Sequence, residues 1–210
     1  MTRVKKAFIT LPLVLFLAVA IPVGANITHA FDEAFYQFLM LFKSPVMTII
    51  MLAFSRVGDG LTVMLILMVA VFLEMKSPVK FGRAAVASVV ISTAFNFLIK
   101  AVVSRERPTI EHLTEAGGYS FPSGHAMNNM ALYAMLFLCL WLMLREKKTI
   151  RRWLFALFLM PVMIALSRVY LGVHFISDVV AGMLLGLFIA MLVFIVFNKK
   201  GWLEDKSENT

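Results

Sequence analysis

Long apolar runs, each near the length that a bilayer's hydrocarbon core demands, dominate this chain and leave it few folds. They fall near Ala7–Ala25, Val57–Met75, Ala84–Val103, Gly124–Leu144, Trp153–Leu166 and Phe175–Phe197. A helix needs about 20 apolar residues to cross that core, and only helices and closed barrels satisfy every backbone group inside it. Hydrophobic residues make up 61% of the 210, and mean hydropathy is +0.88. The runs are therefore the body of the chain, not an anchor on a soluble domain. The expected fold is an all-α membrane protein, a six-transmembrane helix bundle formed by residues 1–210 as one domain.

Positive charge sets the expected orientation. Arg3, Lys5, Lys6, Lys76, Lys80, Arg83, Arg145, Lys147, Lys148, Arg151, Arg152, Lys199, Lys200 and Lys206 flank one set of run ends, fourteen of the twenty basic residues. Lys43, Arg56, Lys100, Arg105, Arg107 and Arg168 flank the other. The positive-inside rule places the first set and both termini in the cytoplasm, in a cell membrane crossed several times. The same sorting accounts for the net charge of +8, so the bilayer and not nucleic acid is the expected partner. Oligomeric state is left open. Cys139 is the single cysteine and lies in an apolar run. It reads as a small buried hydrophobe, with no internal disulfide or Cys-based metal site available to it.

Two stretches have more than one reading. Ala7–Ala25, behind Thr2-Arg3-Val4-Lys5-Lys6, is either a secretory signal cleaved near Ala25 or Ala30, or a retained span. Its apolar run exceeds the roughly 7–15 residues of a signal core, which favours a span. Phe31–Phe54 is apolar but broken by Asp32, Glu33, Lys43 and Pro45, and a proline with charges in mid-run argues against a simple crossing. It reads as two short interfacial helices between spans 1 and 2, Phe31–Phe42 and Pro45–Phe54. The tail Gly201–Thr210 is polar.

Three polar clusters interrupt the apolar pattern, all at outer ends of spans. Lys100 closes the third span, and Arg107-Pro108 follows in the polar loop Ser104–Phe121. Pro122-Ser123-Gly124-His125 opens the fourth. Ser167-Arg168 ends the fifth, whose helix is expected to bend at Pro161, and His174 and Asp178 open the sixth. Ionisable groups beside membrane helices are costly and mark function by default. Cations, a glycine at a helix start, two histidines and a carboxylate are what phosphoryl transfer through a histidine requires.

Each cluster alone has a plainer reading. Lys100 could snorkel at a helix end. Ser123 could simply cap a helix beside a chance histidine, or Gly124 could let an anion approach free N–H groups at the positive end of the helix dipole. His174 and Asp178, at i,i+4 on one face, could close the bundle as a structural pair. Alternatively Asp178 could fix the imidazole tautomer and leave the other nitrogen free to attack. Glu111, His112 and Glu115 lack helical ligand spacing and read as solvated loop residues rather than a metal site. Gly182 and Gly186 continue the Asp178 face, suited to close packing within the bundle more than to dimerisation.

Taken together, the clusters resemble the motifs of the type-2 phosphatidic-acid phosphatase superfamily, the integral-membrane lipid phosphate phosphatases. Those motifs run Lys, six residues, Arg-Pro; then Pro-Ser-Gly-His; then Ser-Arg, five residues, His, three residues, Asp. All eleven specified positions match between Lys100 and Asp178. The resemblance implies a lipid phosphatase with no metal and no cofactor. In that reading His174 is the nucleophile, Asp178 orients it, and His125 protonates the leaving group and then activates water. Lys100, Arg107, Arg168, Ser123 and Gly124 would hold the phosphate. Implied substrates are phosphatidylglycerophosphate, phosphatidic acid or an isoprenyl pyrophosphate such as undecaprenyl pyrophosphate, with the site on the outer face. A lipid phosphotransferase with the same intermediate, a non-catalytic lipid-binding protein and an anion transporter are the alternatives.

Overall fold

Two glycines fix the centre of the bundle. In the computed structural model, which describes residues 3–75, 80–144 and 147–203, every regular element among the described residues is helical. Helices α6 (Gly124–Met143) and α9 (Ile176–Lys199) start at the same end and form the most extensive helix pair. A side chain at Gly182 would meet Ser123 O at 2.7 Å, and one at Gly186 would run into the Met127 backbone. This small-residue face therefore closes α9 onto α6 within the bundle. In an apolar solvent helices associate through such close backbone packing, because burying apolar surface gains little there.

Helix α5 (Phe81–Val103) packs against α6 by the same logic. Its buried stripe is small and polar: Ala85, Ser88, Ser92 and Asn96. Ser88 Oγ donates to Ala131 O at 3.3 Å and Ser92 Oγ to Asn128 Oδ1 at 2.7 Å. Asn96 Nδ2 donates to Pro122 O at 3.0 Å, which ties the start of α6 to α5. Helix α1 (Arg3–Gly24) lies along α9, with Phe16 and Val23 buried and the Phe16 ring stacked on Phe121.

The segment after α1 forms two helices, α2 (His29–Met40) and α3 (Pro45–Val57). Helix α2 turns 103° from α1. The Phe31–Phe54 stretch thus breaks where the sequence places the break. Ser44 caps α3, its Oγ accepting from Met47 N–H at 3.1 Å, and Pro45 takes the first turn, where its missing N–H costs nothing. The second apolar run starts later than the expected Val57. Gly58 and Asp59 separate α3 from α4 (Gly60–Glu74), and the two helices are bent by 50°. Gly58 is required there, since a Cβ would collide with the Ile164 side chain.

The fifth run is also less regular than expected. After α7 (Lys148–Trp153) a 3₁₀ turn covers Leu154–Phe158, and α8 (Leu159–Tyr170) carries on. Pro161 sits in the first turn of α8, directly after the 3₁₀ turn, so the departure from regular α-helix lies just upstream of the proline.

Among the described residues three helices are individually long and apolar enough to cross a membrane, α5, α6 and α9, and up to five spans result if each bent pair counts as one. Leu154–Tyr170 is apolar but shorter. Arg83 donates to Glu74 Oε1 through Nε at 2.6 Å and to Oε2 through its backbone at 3.0 Å, joining the end of α4 to the start of α5. Lys80, Arg83, Lys199 and Lys200 gather at this end, remote from the starts of α6 and α9. Lys76, Arg145 and Lys206, assigned to the same side from sequence, lie outside the described residues, as does the tail beyond Leu203.

Candidate active site

Four helix ends converge where α6 and α9 begin: the amino ends of those two and the carboxyl ends of α5 and α8. The positive dipole ends of α6 and α9 are opposed by the negative ends of α5 and α8, so the net positive field of this region rests on its cations. Ser123 N–H donates to Asp178 O at 3.1 Å, which locks the second cluster to the third.

His174 lies just before α9 and is buried. Its Nδ1 stands 3.4 Å from Asp178 Oδ2 and 3.2 Å from Ser120 Oγ. Ser120 in turn donates its hydroxyl proton to Asp178 Oδ2. Arg107 Nη1 approaches the other ring nitrogen, Nε2, at 3.3 Å. A guanidinium only donates, so Nε2 is the acceptor and the proton belongs on Nδ1, facing Ser120 and Asp178. Burial pushes the imidazole down to about 4, against the opposing effect of its hydrogen bond to the Asp178 carboxylate. At neutral pH the ring is therefore uncharged, with its Nε2 lone pair directed at the cationic side of the site.

The cations are braced by the loop between α5 and α6. Arg107 Nη1 and Nη2 donate to Val173 O and Gly117 O, both at 2.7 Å, and Nε donates to Gly118 O at 3.0 Å. Burial lowers this guanidinium from its ordinary value while the Asp178 charge pulls the other way. Lys100 Nζ donates to Tyr119 O and to Ser120 O. Both cations hold the turn that carries Ser120, and so both act on the His174 surroundings.

Ser123 occupies the capping position of α6 but makes no cap hydrogen bond, and its buried Oγ has no partner among the described residues. Arg168 donates through Nη1 to Ser55 Oγ on α3, while its buried Nε has no partner among the described residues. Buried polar groups without partners are rare and call for an explanation. Both belong to the set that the sequence assigns to phosphate. His125 Nε2 lies 2.8 Å from Asp59 Oδ1. Arg168 and Arg107 are within electrostatic reach of that ring, although neither bonds it. Asn129 Nδ2 spans Gly58 O and His125 O, both at 2.9 Å, and so fixes the α3–α4 turn against α6.

All eight site residues read from the sequence thus sit at one end of the bundle. Sequence reasoning missed Asp59, Ser120, Arg105 and Asp32. The last two form a buried network behind Asp178: Arg105 Nη1 donates to Asp178 Oδ1 and Nη2 to Asp32 Oδ2, each at 2.7 Å. His112 is not drawn in; its Nε2 rests 2.9 Å from Pro108 O.

Beside His125 and Gly124 opens a cavity of about 290 Å³, lined by Val63, Met64 and Leu67 of α4 and by Val89 and Thr93 of α5. Met64 and Leu67 also line a second, almost wholly apolar cavity of about 540 Å³ with Met68, Val71, Phe72 and Val86. The two cavities share Met64 and Leu67 and so lie next to each other between α4 and α5, an apolar groove with His125 at one end.

Residues 81–202 match the family model of the PAP2 superfamily. Phosphatidylglycerophosphatase B of Bacillus subtilis (strain 168) is 31% identical over 182 residues, 85% of this chain and 89% of that protein. Undecaprenyl-diphosphatase of Sulfolobus acidocaldarius is 34% identical over 130 residues, 59% of this chain and 58% of that one. Among solved structures, a transmembrane PAP2 type phosphatidylglycerolphosphate phosphatase from Bacillus subtilis superposes with a TM-score of 0.80 at 26% identity, over 90% of this chain and 96% of its own. Aquifex aeolicus LpxE shares the fold, with a TM-score of 0.64 at 22% identity over 78% of this chain and 94% of its own.

Proposed function

The chain belongs to the PAP2 superfamily and is a multi-pass membrane lipid phosphatase, and on that premise we propose that it hydrolyses a phosphomonoester or pyrophosphate on a lipid head group through a phosphohistidine, without a metal ion. The observation that carries this reading is the asymmetry of His174. Nδ1 is enclosed by Ser120 and Asp178, and the Nε2 lone pair faces Arg107.

The Nε2 lone pair forms the N–P bond as the P–O bond to the lipid breaks. The electron pair of that bond goes to the leaving oxygen, which takes a proton from His125. The ring keeps its Nδ1 proton and carries positive charge toward Asp178. Water then attacks phosphorus, giving its proton to His125, and the N–P electron pair returns to Nε2. Lys100, Arg107 and Arg168 with the Ser123 hydroxyl and the Gly124 N–H stabilise the equatorial oxygens. In phosphoryl transfer such positioned charge is the main source of rate, and here it takes the place of a metal.

The substrate is a lipid because the leaving group departs at His125, where the apolar groove between α4 and α5 begins. A tail attached to the leaving oxygen lies in that groove while the phosphate stays among the cations. The names of the two relatives make phosphatidylglycerophosphate and undecaprenyl pyrophosphate the first candidates, with phosphatidic acid beside them. Six spans with both termini in the cytoplasm and a site on the outer face complete the reading; the basic residues at the far end of the bundle support the orientation.

The test is phosphate release by detergent-purified protein from these three lipids with EDTA present, and with His174→Ala as control. Release that persists in EDTA and vanishes in the variant is expected. No release from any of the three by folded protein would overturn the reading.

A further inference from the structure

Behind the His174–Asp178 pair lies a second buried charge pair that the mechanism above does not use. Asp32 on α2 and Arg105 in the loop after α5 are both buried, as are Ser177 and Asp178. Arg105 forks between the two carboxylates, with Nη1 on Asp178 Oδ1 and Nη2 on Asp32 Oδ2 at 2.7 Å each. Nη1 also donates to Ser177 Oγ at 2.7 Å and Nη2 to Thr28 Oγ1 at 3.2 Å. Ser177 closes the ring, its N–H donating to Asp32 Oδ1 at 3.0 Å and its hydroxyl to Asp32 Oδ2 at 2.8 Å. The guanidinium carbon stands 4.0 Å from the centre of the Phe175 ring.

Burying three charges is a poor way to gain stability, because desolvation offsets most of the attraction. Their arithmetic suggests another purpose. Arg105 alone would cancel the charge of Asp178. With Asp32 present, the cluster carries one net negative charge behind a neutral imidazole.

We propose that Asp32 is a positioning residue for catalysis, balancing Arg105 so that Asp178 keeps its full negative field on His174 as the ring becomes cationic. When Nε2 forms the N–P bond and retains its Nδ1 proton, the ring gains one positive charge. The assembly of His174, Asp178, Arg105 and Asp32 then passes from −1 to neutral. Without Asp32 it would pass from neutral to +1, in a buried site where an uncompensated charge is expensive. Arg105 holds Asp178 in place, and Asp32 removes the electrostatic penalty of that hold.

This inference rests on the phosphohistidine reading, and the experiment separates the two. Asp32→Asn, Arg105→Gln and the double variant Asp32→Asn/Arg105→Gln are compared with wild type and His174→Ala, all as full chains in detergent with folding checked by circular dichroism. Steady-state kcat and KM on phosphatidic acid in mixed micelles are read with single-turnover trapping of the phosphoenzyme. Asp32→Asn is expected to lower kcat and the rate of phosphoenzyme formation roughly 10- to 100-fold with KM little changed, as for loss of one nearby charge in a low-dielectric site. The double variant restores the net charge of −1 and is expected to turn over faster than Asp32→Asn alone.

A merely structural role predicts the reverse, a double variant no faster than the single one. That result, or an unchanged kcat in Asp32→Asn, overturns the proposal. If Asp32→Asn does not fold, the double variant decides: turnover faster than Arg105→Gln supports the charge balance, and turnover no faster overturns it. Absence of a phosphoenzyme in active wild-type protein would instead overturn the underlying reading.

Discussion

Asp59 stands in the capping position before α4, yet it makes no side-chain cap, and its Oδ1 lies 2.8 Å from Nε2 of His125. An aspartate in that position ordinarily satisfies a free N–H of the first turn. Here the carboxylate instead holds the imidazole that, in the proposed mechanism, serves the leaving oxygen. His125→Ala should lower kcat on a lipid phosphomonoester by roughly 100- to 10,000-fold, the usual contribution of a general acid. Asp59→Asn should act in the same direction by a smaller factor. Both losses should shrink on an activated aryl phosphate, whose leaving group departs without a proton. Equal losses on the two substrates would remove the acid role from His125 and the orienting role from Asp59.

Ser123 Oγ and Arg168 Nε, without partners among the described residues, give a test that needs no turnover. If phosphate satisfies them, inorganic phosphate should raise the thermal midpoint of wild-type protein, since a ligand at about 100 times its Kd stabilises by about 2.7 kcal/mol. Ser123→Ala and Arg168→Lys should each weaken binding roughly 10- to 100-fold, the worth of one hydrogen bond to a charged group. Their midpoints should therefore respond only at correspondingly higher phosphate. A wild-type shift retained in full by both variants would place the anion elsewhere.

Much of this architecture is legible in the chain because membrane helices announce themselves by composition. The ends of α5, α6 and α9 fall within a few residues of the expected runs, and the break at Lys43–Pro45 is written in residue chemistry. What escapes a local reading is pairing at long range. Asp59 meets His125 across 66 residues of chain and Asp32 meets Arg105 across 73. Asp59 lies between two glycines within the expected run Val57–Met75, where sequence reasoning passed it over, and Arg105 reads as one of six outer cations. Asp32 did carry a usable signal: a carboxylate in an apolar run must find a buried partner. Ser120 carried none, being one hydroxyl in a polar loop.

The state of His174 is directly measurable. Its ordinary value is 6.5, and burial brings it to about 4. A lowered value for a base means that the neutral form survives as pH falls below 6.5 and is lost only on approach to pH 4. In histidine-labelled protein the imidazole resonance that His174→Gln removes should titrate with a midpoint well below 6.5. The unfolded chain takes up this proton at higher pH than the folded one, so stability should also decline as pH falls from 6.5 toward 4. A midpoint at or above 6.5 would mean that the ring is hydrated or held as imidazolium by Asp178.

The groove between α4 and α5 ties substrate length to rate. Met64 and Leu67 line both of its parts, so a bulky side chain at either position divides the path that leads from His125. Within the bilayer the tail gains little from leaving lipid for the groove, so obstruction should act mainly by misplacing the head group. A head group misplaced by about 1 Å can lose on the order of 100-fold in rate, so a partial obstruction of the tail is expected to cost roughly tenfold in kcat/KM. Met64→Trp and Leu67→Trp are therefore expected to reduce kcat/KM for long-chain phosphatidic acid by about that factor. The same variants should leave an activated aryl phosphate nearly unchanged, because that substrate has no tail to place. If long-chain and tailless substrates suffer alike, the substitutions have disturbed the turn at Gly58 and the His125 ring packed against it. If neither suffers, the tail leaves the site by another face of the bundle, and the leaving oxygen does not point toward α4.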